Sequence, residues 1–262
     1  IAFDASSIFY NPGGLSFVTK AYNISAGISP LKSYTVFRKE APSLYEGETD
    51  NGWGTPFYFY ASAKINDKLS AGLSVNTPYG NSLKWEDGWD GRYLIEELSL
   101  KAIFFQPTLS YKINDYIGIG AGLVYATGDV ELQKALPLEG AGIDGSVNIS
   151  GTTASFGYNL GLFIRPLAEL NIGINYRSEI LMEVDDGDAK FDLPESLATS
   201  FPDTKVKTEL PLPANLDFGM SYQASEKLLV GFSINYVFWD TYDSLIFDFK
   251  DNTSSLSDSR SP

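Results

Sequence analysis

Ile113-Asn114-Asp115-Tyr116-Ile117-Gly118-Ile119-Gly120-Ala121-Gly122-Leu123-Val124-Tyr125 is the stretch that decides the fold. It opens with a tight turn, because Asn and Asp tolerate turn backbone angles and bond to their own chain. It then alternates: Ile117, Ile119, Ala121, Leu123 and Tyr125 against Gly118, Gly120 and Gly122. Period two places the apolar set on one face of a strand and the glycines on the other.

The pattern repeats in both directions. Ile65-Asn66-Asp67-Lys68 is nearly the same turn, and Arg165-Pro166-Leu167-Ala168-Glu169 and Gln223-Ala224-Ser225-Glu226-Lys227 take the same place later. Each is followed by clean alternation. Leu69, Ala71, Leu73 and Val75 form one apolar face, Leu170, Ile172, Ile174 and Tyr176 another, and Leu228, Val230, Phe232, Ile234 and Tyr236 a third. Between these turns lie long connections, over 38–54, 81–92, 134–150 and 186–211, rich in Gly, Asp, Glu, Asn and Pro. The reading gives nine strands, the first and least regular over about 21–37.

Alternating tight turns and long loops is the habit of an outer-membrane barrel, with turns on the periplasmic side and loops outside. A soluble sheet shows the same alternation of residues, with its apolar face in a core. Three features favour the membrane. The apolar segments approach the roughly 9–11 residues that a strand needs to cross. Tyr and Phe gather near strand ends, as an interfacial girdle requires. The second face is Gly, Ser and Asn, suited to a wet or plugged lumen. The expected fold is therefore all-β: a transmembrane antiparallel up-and-down barrel.

Composition narrows the function. The chain has 33 acidic and 19 basic residues, a net charge of −14, which excludes a nucleic-acid partner. It contains no Cys and no His. A His-based triad, a Cys nucleophile and Cys or His metal sites are thus excluded, and no metal or cofactor is expected. No apolar run of about eighteen residues occurs, so helical spans are excluded. Nine is odd, whereas bacterial single-chain barrels are even. The chain also stops in a polar stretch of loop character, residues 250–262, so the sequence is expected to be part of a larger barrel.

Several motifs, in this order and spacing, resemble the FadL family of outer-membrane transporters for long-chain fatty acids and other hydrophobic compounds. Asp4 to Leu15, with Asn11-Pro12-Gly13, is similar to the end of the family's N-terminal hatch, where Asn-Pro-Ala is usual and Gly13 here replaces Ala. Val75-Asn76-Thr77-Pro78-Tyr79-Gly80 is similar to the end of its third strand. Tyr176-Arg177-Ser178-Glu179, Leu212-Pro213 and Phe238-Trp239-Asp240-Thr241-Tyr242 match its seventh, eighth and ninth strands. The resemblance implies a fourteen-stranded barrel, with hatch residues 1–20, nine strands within 21–249 and an external loop over 250–262. It implies passive uptake without energy coupling, through a lumen pocket and a sideways opening in the wall. It also implies a monomeric barrel in a Gram-negative outer membrane, whose partners are lipid and a hydrophobic small molecule.

Candidate site residues follow. Asn11, Pro12 and Gly13 form either a hatch latch or a plain turn. Pro78, Tyr79 and Gly80 mark either a kink beside an opening or the strand's end, since Pro removes a ladder donor and Gly weakens a strand. Asp192 to Pro202 reads as a short helix capped by Asp192, with Leu193, Leu197 and Phe201 along one face. With Leu136, Leu138 and Ile143 these residues either greet a greasy ligand or pack loop on loop. Arg177 and Glu179 are placed together on the non-lipid face, for a carboxylate head group or for other lumen charges. The rival to transport is a closed-lumen barrel serving a secretion complex or acting as a surface receptor. A hydrolase is disfavoured by the absence of His.

Overall fold

The computed structural model describes residues 4–138, 144–198, 201–242 and 244–250. The wall starts with β1 (Tyr22–Ile28), well short of the expected end at 37. It stops before Pro30, which has no N–H to give. Two short strands, β2 (Val36–Arg38) and β3 (Glu46–Glu48), then pair as a separate hairpin within the first long connection. The wall resumes at β4 (Phe57–Lys64), antiparallel to β1.

Four long strands follow in up-and-down order: β5 (Leu69–Lys84), β6 (Glu97–Lys112), β7 (Ile117–Leu136) and β8 (Gly145–Leu167). The turns joining β4 to β5 and β6 to β7 are built alike. Asn66 Oδ1 accepts from Lys68 N–H and Leu69 N–H, both at 2.9 Å. Asn114 Oδ1 accepts from Tyr116 N–H and Ile117 N–H, both at 2.8 Å. Each Asp also pairs with the Lys three residues before it: Asp67 with Lys64 and Asp115 with Lys112. Like sequences make like turns because the Asn side chain stands in for a backbone acceptor.

The last three of the nine positions each carry two strands. The seventh is β9 (Leu170–Arg177) and β10 (Ile180–Asp192). The eighth is β11 (Thr204–Leu212) and β12 (Asn215–Ser225), split at Pro213, which cannot donate to a ladder. The ninth is β13 (Leu228–Val237), then β14 (Phe247–Phe249) after a short 3-10 turn. Below the breaks β9, β12 and β13 pair in sequence; above them β8, β10, β11 and β14 do so. Between the two, eight residues of the sixth strand, 151–158, carry no ladder partner on the seventh-strand side, although Tyr158 O accepts from Ser178 N–H.

The burial of the wall is inside out. Leu109, Ile119, Leu123 and Phe156 are exposed, whereas Gln106, Ser110 and Asn159 are 0 % exposed. Apolar groups turned outward and amides turned inward suit hydrocarbon around the sheet. Outward aromatic rings form a row, with Phe105 6.2 Å from Tyr125 and Tyr125 5.2 Å from Phe156. Tyr158 and Tyr176 continue it at 6.0 Å. The row was expected near strand ends but crosses β6, β7 and β8 in mid-strand. These strands keep pairing beyond it, with Asp129 and Glu131 pointing outward and exposed. The loops are shorter than the sequence suggested for this reason: polar outward residues read as loop, yet outside the membrane they suit a strand equally well.

Candidate functional site

The inner face is built in levels. On the lowest, the N-terminal segment lies across the amide-bearing face of β6, β7 and β8. A one-turn helix, α1 (Ser7–Tyr10), is joined through the extended residue Asn11 to a 3-10 turn, Pro12–Phe17. Short helices leave carbonyls unpaired, and here the wall satisfies them. Gln106 Nε2 donates to Ile8 O at 2.7 Å, and Asn159 Nδ2 to Phe9 O at 3.0 Å. Asn11 Nδ2 donates to Leu162 O at 3.0 Å, while its Oδ1 accepts from Gly13 N–H at 3.0 Å. Ser16 N–H reaches Ser110 Oγ at 3.1 Å.

Glycines permit this approach. A Cβ on Gly13 would lie 2.7 Å from Gly161 O and 2.8 Å from Gly118 O, too close for any real side chain. A Cβ on Gly120 would strike Pro12, and one on Gly161 would strike Asn11. Gly118 and Gly120 of the opening stretch are therefore part of the bed of this segment, and Gly122 makes room for Gln106 and Thr108. Gly13, which stands where the resembling family has Ala, fits the backbone of β7 and β8 without room for a methyl. Ala5, Ile8, Phe9, Leu15, Val18 and Tyr60 pack together beside the polar contacts.

Arg177 borders this level. Its guanidinium lies 3.9 Å from the Phe9 ring centroid and 3.5 Å from Asp217. Its Nε is buried without a partner among the described residues. Glu179 does not share its face. It is exposed at the break after β9 and accepts from Thr241 Oγ1 at 2.7 Å. The break between Arg177 and Ile180 reverses the side-chain alternation, so spacing alone misplaced Glu179.

The next level is apolar. The β4–β5 ladder runs up to Tyr58↔Asn76 and ends, with Phe57 N–H going to Thr77 Oγ1 instead. β5 continues to Lys84 against β6 through a bulge, where Asn76 to Tyr79 on β5 oppose Phe104 to Ala102 on β6. The ladder thus breaks on the β4 side near Pro78, while on the β6 side it is shifted and continues. A Cβ on Gly80 would meet only Leu100 O, at 3.4 Å. Tyr79 turns onto the inner face and packs on a cluster that includes Ala102, Phe104, Val124, Ile180, Met182 and Leu212. Its hydroxyl reaches the break in the eighth strand, donating to Pro213 O at 3.4 Å and accepting from Asn215 Nδ2 at 3.1 Å. A lumen pocket lined with aromatic and aliphatic side chains was expected at this level; at Tyr79 such side chains pack on one another. The apolar hollow of about 520 Å³ found on the wall is lined by outward residues such as Leu109, Ile119 and Leu160.

At the rim, Val147, Ile149, Ala189 and Val206 form a further apolar cluster, with Leu136, Phe191 and Phe249 against it. Phe201 reaches Phe191 at 6.2 Å. Leu193 and Leu138 both lie over Gly145. The expected helix is a single turn, α2 (Glu195–Ala198), with Phe201 N–H bonded to the half-buried Leu197 O at 3.2 Å. Asp192 closes β10, paired with Ser146, rather than standing outside a helix. Ile143 lies outside the described residues. Leu193 also borders a cleft of about 550 Å³, half polar and half apolar, with Arg92, Glu96, Gln133 and Asp144. Beside the cleft Trp85 and Trp89 stack at 4.1 Å with Phe37 edge-on. The sequence reading passed over this stack, although two Trp four residues apart in a polar loop were its visible signal.

This wall and its inner segment have counterparts. The profile described as "Outer membrane protein transport protein (OMPP1/FadL/TodX)" matches residues 1–261. The chain belongs to the OMPP1/FadL/TodX family. Among curated relatives, Outer membrane protein P1 of Haemophilus influenzae is 24 % identical over 234 residues, 75 % of this chain and 48 % of the relative. The chain thus spans about half the length of that relative. Among solved structures, a Pseudomonas aeruginosa FadL homologue superposes with a TM-score of 0.75 at 18 % identity, covering 96 % of this chain and 68 % of the other. The toluene transporter TbuX of Ralstonia pickettii gives 0.72 at 15 % identity, covering 92 % and 69 %. At such identities these two likenesses concern the fold alone. The family is one of outer-membrane proteins, and the outward apolar face agrees with that location.

Proposed function

We propose that the chain forms the first nine strands of a passive outer-membrane channel for hydrophobic small molecules, fatty acids or hydrocarbons. One observation carries the reading. The inner face changes from amides to aliphatic and aromatic side chains at the level where the β4–β5 ladder ends. An apolar interior beside unpaired wall suits a molecule that leaves sideways into lipid, because a hydrophobic solute gains nothing by returning to water. In this reading the segment carrying Asn11, Pro12 and Gly13 is a hatch closing the lower lumen. Pro78, Tyr79 and Gly80 border the exit. Leu136, Leu138, Leu193, Leu197 and Phe201 receive the ligand, and Arg177 stands ready for an acidic head group.

The rival is a barrel with a shut lumen, serving as receptor or scaffold. It draws on the Tyr79 contacts across the lumen and on the bed of the N-terminal segment. Uptake of labelled oleate and toluene into cells expressing the full-length protein separates the two. Transport predicts uptake above that of cells lacking the protein, and slower uptake in a folded Gly80→Trp variant. Uptake no faster than in the empty cells favours the receptor.

A further inference from the structure

Pro213 and Ala214 fall between β11 and β12, outside both ladders. The Pro213 carbonyl is buried and must find donors elsewhere. It accepts from Asn215 Nδ2 at 2.9 Å and from the Tyr79 hydroxyl at 3.4 Å. The same Asn215 amide, 8 % exposed, also donates to the Tyr79 oxygen at 3.1 Å. The Tyr79 ring lies 5.8 Å from Phe104 and packs on the cluster that also holds Ile180, Met182 and Leu212. The result is an apolar cage with one polar corner, which accepts one hydrogen bond and donates one. Its occupant is a hydroxyphenyl ring belonging to the chain itself. That ring is carried on a part of β5 that has lost its β4 partner.

We propose that Tyr79 holds the place of a ligand: a small phenol enters the cage when the tyrosine swings away, its hydroxyl donating to Pro213 O and accepting from Asn215 Nδ2. The inference rests on the transport reading only in requiring that small molecules reach the lumen. The corner sets the chemistry. An ionised carboxylate brings acceptors and no proton, so it faces the Pro213 carbonyl unfavourably. A plain hydrocarbon fits the cage but leaves the corner without the two bonds that the Tyr79 hydroxyl makes.

The test uses full-length protein in detergent and equilibrium dialysis in sealed cells with labelled p-cresol, p-xylene and p-toluate. Wild-type protein is expected to bind p-cresol about tenfold more tightly than p-xylene, the value of one or two net hydrogen bonds. Asn215→Leu is expected to bring that ratio near one without weakening p-xylene, and Asn215→Gln to restore part of it. Tyr79→Ala, which removes the competitor, is expected to tighten p-cresol further. Equal affinities for cresol and xylene in the wild type would overturn the proposal, as would a preference surviving Asn215→Leu or tightest binding of toluate. Asn215→Gln keeps the amide if Asn215→Leu does not fold. Cresol binding without uptake of any hydrophobe sinks the transport reading and leaves this site standing. Uptake of xylene with no cresol preference does the reverse.

Discussion

Two levels of the lumen, a few residues apart along the same strands, hold the inner face closed by opposite means. Around Asn11 the wall offers glycines and amides, and the chain segment laid on it is fixed by directional bonds to backbone. Around Tyr79 the wall offers Phe104, Val124, Ile180 and Met182, which touch without direction, and a single polar corner fixes the ring. A layer held by many oriented bonds comes away as a unit. A layer of non-directional contacts repacks side chain by side chain. The lower level is thus suited to a door and the upper to an adaptable seat.

The largest test of the contrast is at two adjacent residues. Phe104 is 2 % exposed on the inner face, and Phe105, at 37 %, is in the outward aromatic row. Phe104→Ala is expected to cost about 3–5 kcal/mol, the range for emptying a packed aromatic site. Phe105→Ala should cost much less, since lipid fills the space. Urea unfolding of the full-length protein in lipid vesicles measures both. Equal losses would mean that the upper level is not a packed core.

Next in size is Gly161→Ala. Its methyl would press on Asn11, at a cost of about 1–3 kcal/mol typical of overpacking. A lower level that comes away as a unit predicts release of the whole segment, read as new protease cleavage before residue 20 and higher ion conductance in planar bilayers. Asn11→Ala should act in the same direction but more weakly, by about 1 kcal/mol per lost hydrogen bond. A tight lumen in Gly161→Ala would show that the segment yields locally, as the upper level is expected to.

The smallest effect lies at the rim. Hydrogen bonds from Arg92, at 2.7 Å, and from Tyr93, at 2.8 Å, hold the Asp144 carboxyl below the usual carboxylate range. A depressed carboxyl contributes stability that is present above its unfolded value, about 3.9, and fades as pH falls through the lower folded value. Hydrogen exchange around Arg92 and Asp144, expressed relative to the intrinsic rate at each pH, should therefore be flat from neutral pH to about 5 and rise only in stronger acid. A rise near pH 6 would contradict the pairing.

What the sequence made legible was the outward face. Ile117, Ile119, Ala121 and Leu123 are apolar because lipid demands it, and that demand is uniform along the strand. The inner face obeys no uniform rule, and its levels were not foreseen. Parity also failed where strands break. Ile180, Met182 and Val184 are even-numbered like the outward Ile172 and Ile174, yet all three are buried inside. Ser178 and Glu179 interrupt the strand and exchange its faces, and Pro213 and Ala214 do the same to Leu212. Tyr79 was singled out with Pro78 and Gly80, but its direction depends on the extra bulge residue between Asn76 and Tyr79. Asn215 carried no signal, because its role arises only when distant strands meet across the lumen.

The length of β7 and β8 has a consequence in height. Eleven residues of β7, 126–136, lie beyond Tyr125 of the aromatic row and stay paired with β8 to the end. At about 3.3 Å per residue and a tilt of about 45°, such a run stands roughly 25 Å above the hydrocarbon boundary. The rim of the wall then stands clear of the hydrocarbon by that height, so the apolar cluster of Val147, Ile149, Ala189 and Val206 owes its burial to the chain itself and not to lipid. In the transport reading proposed above, an oily molecule would first meet the protein at that height and not at the hydrocarbon boundary.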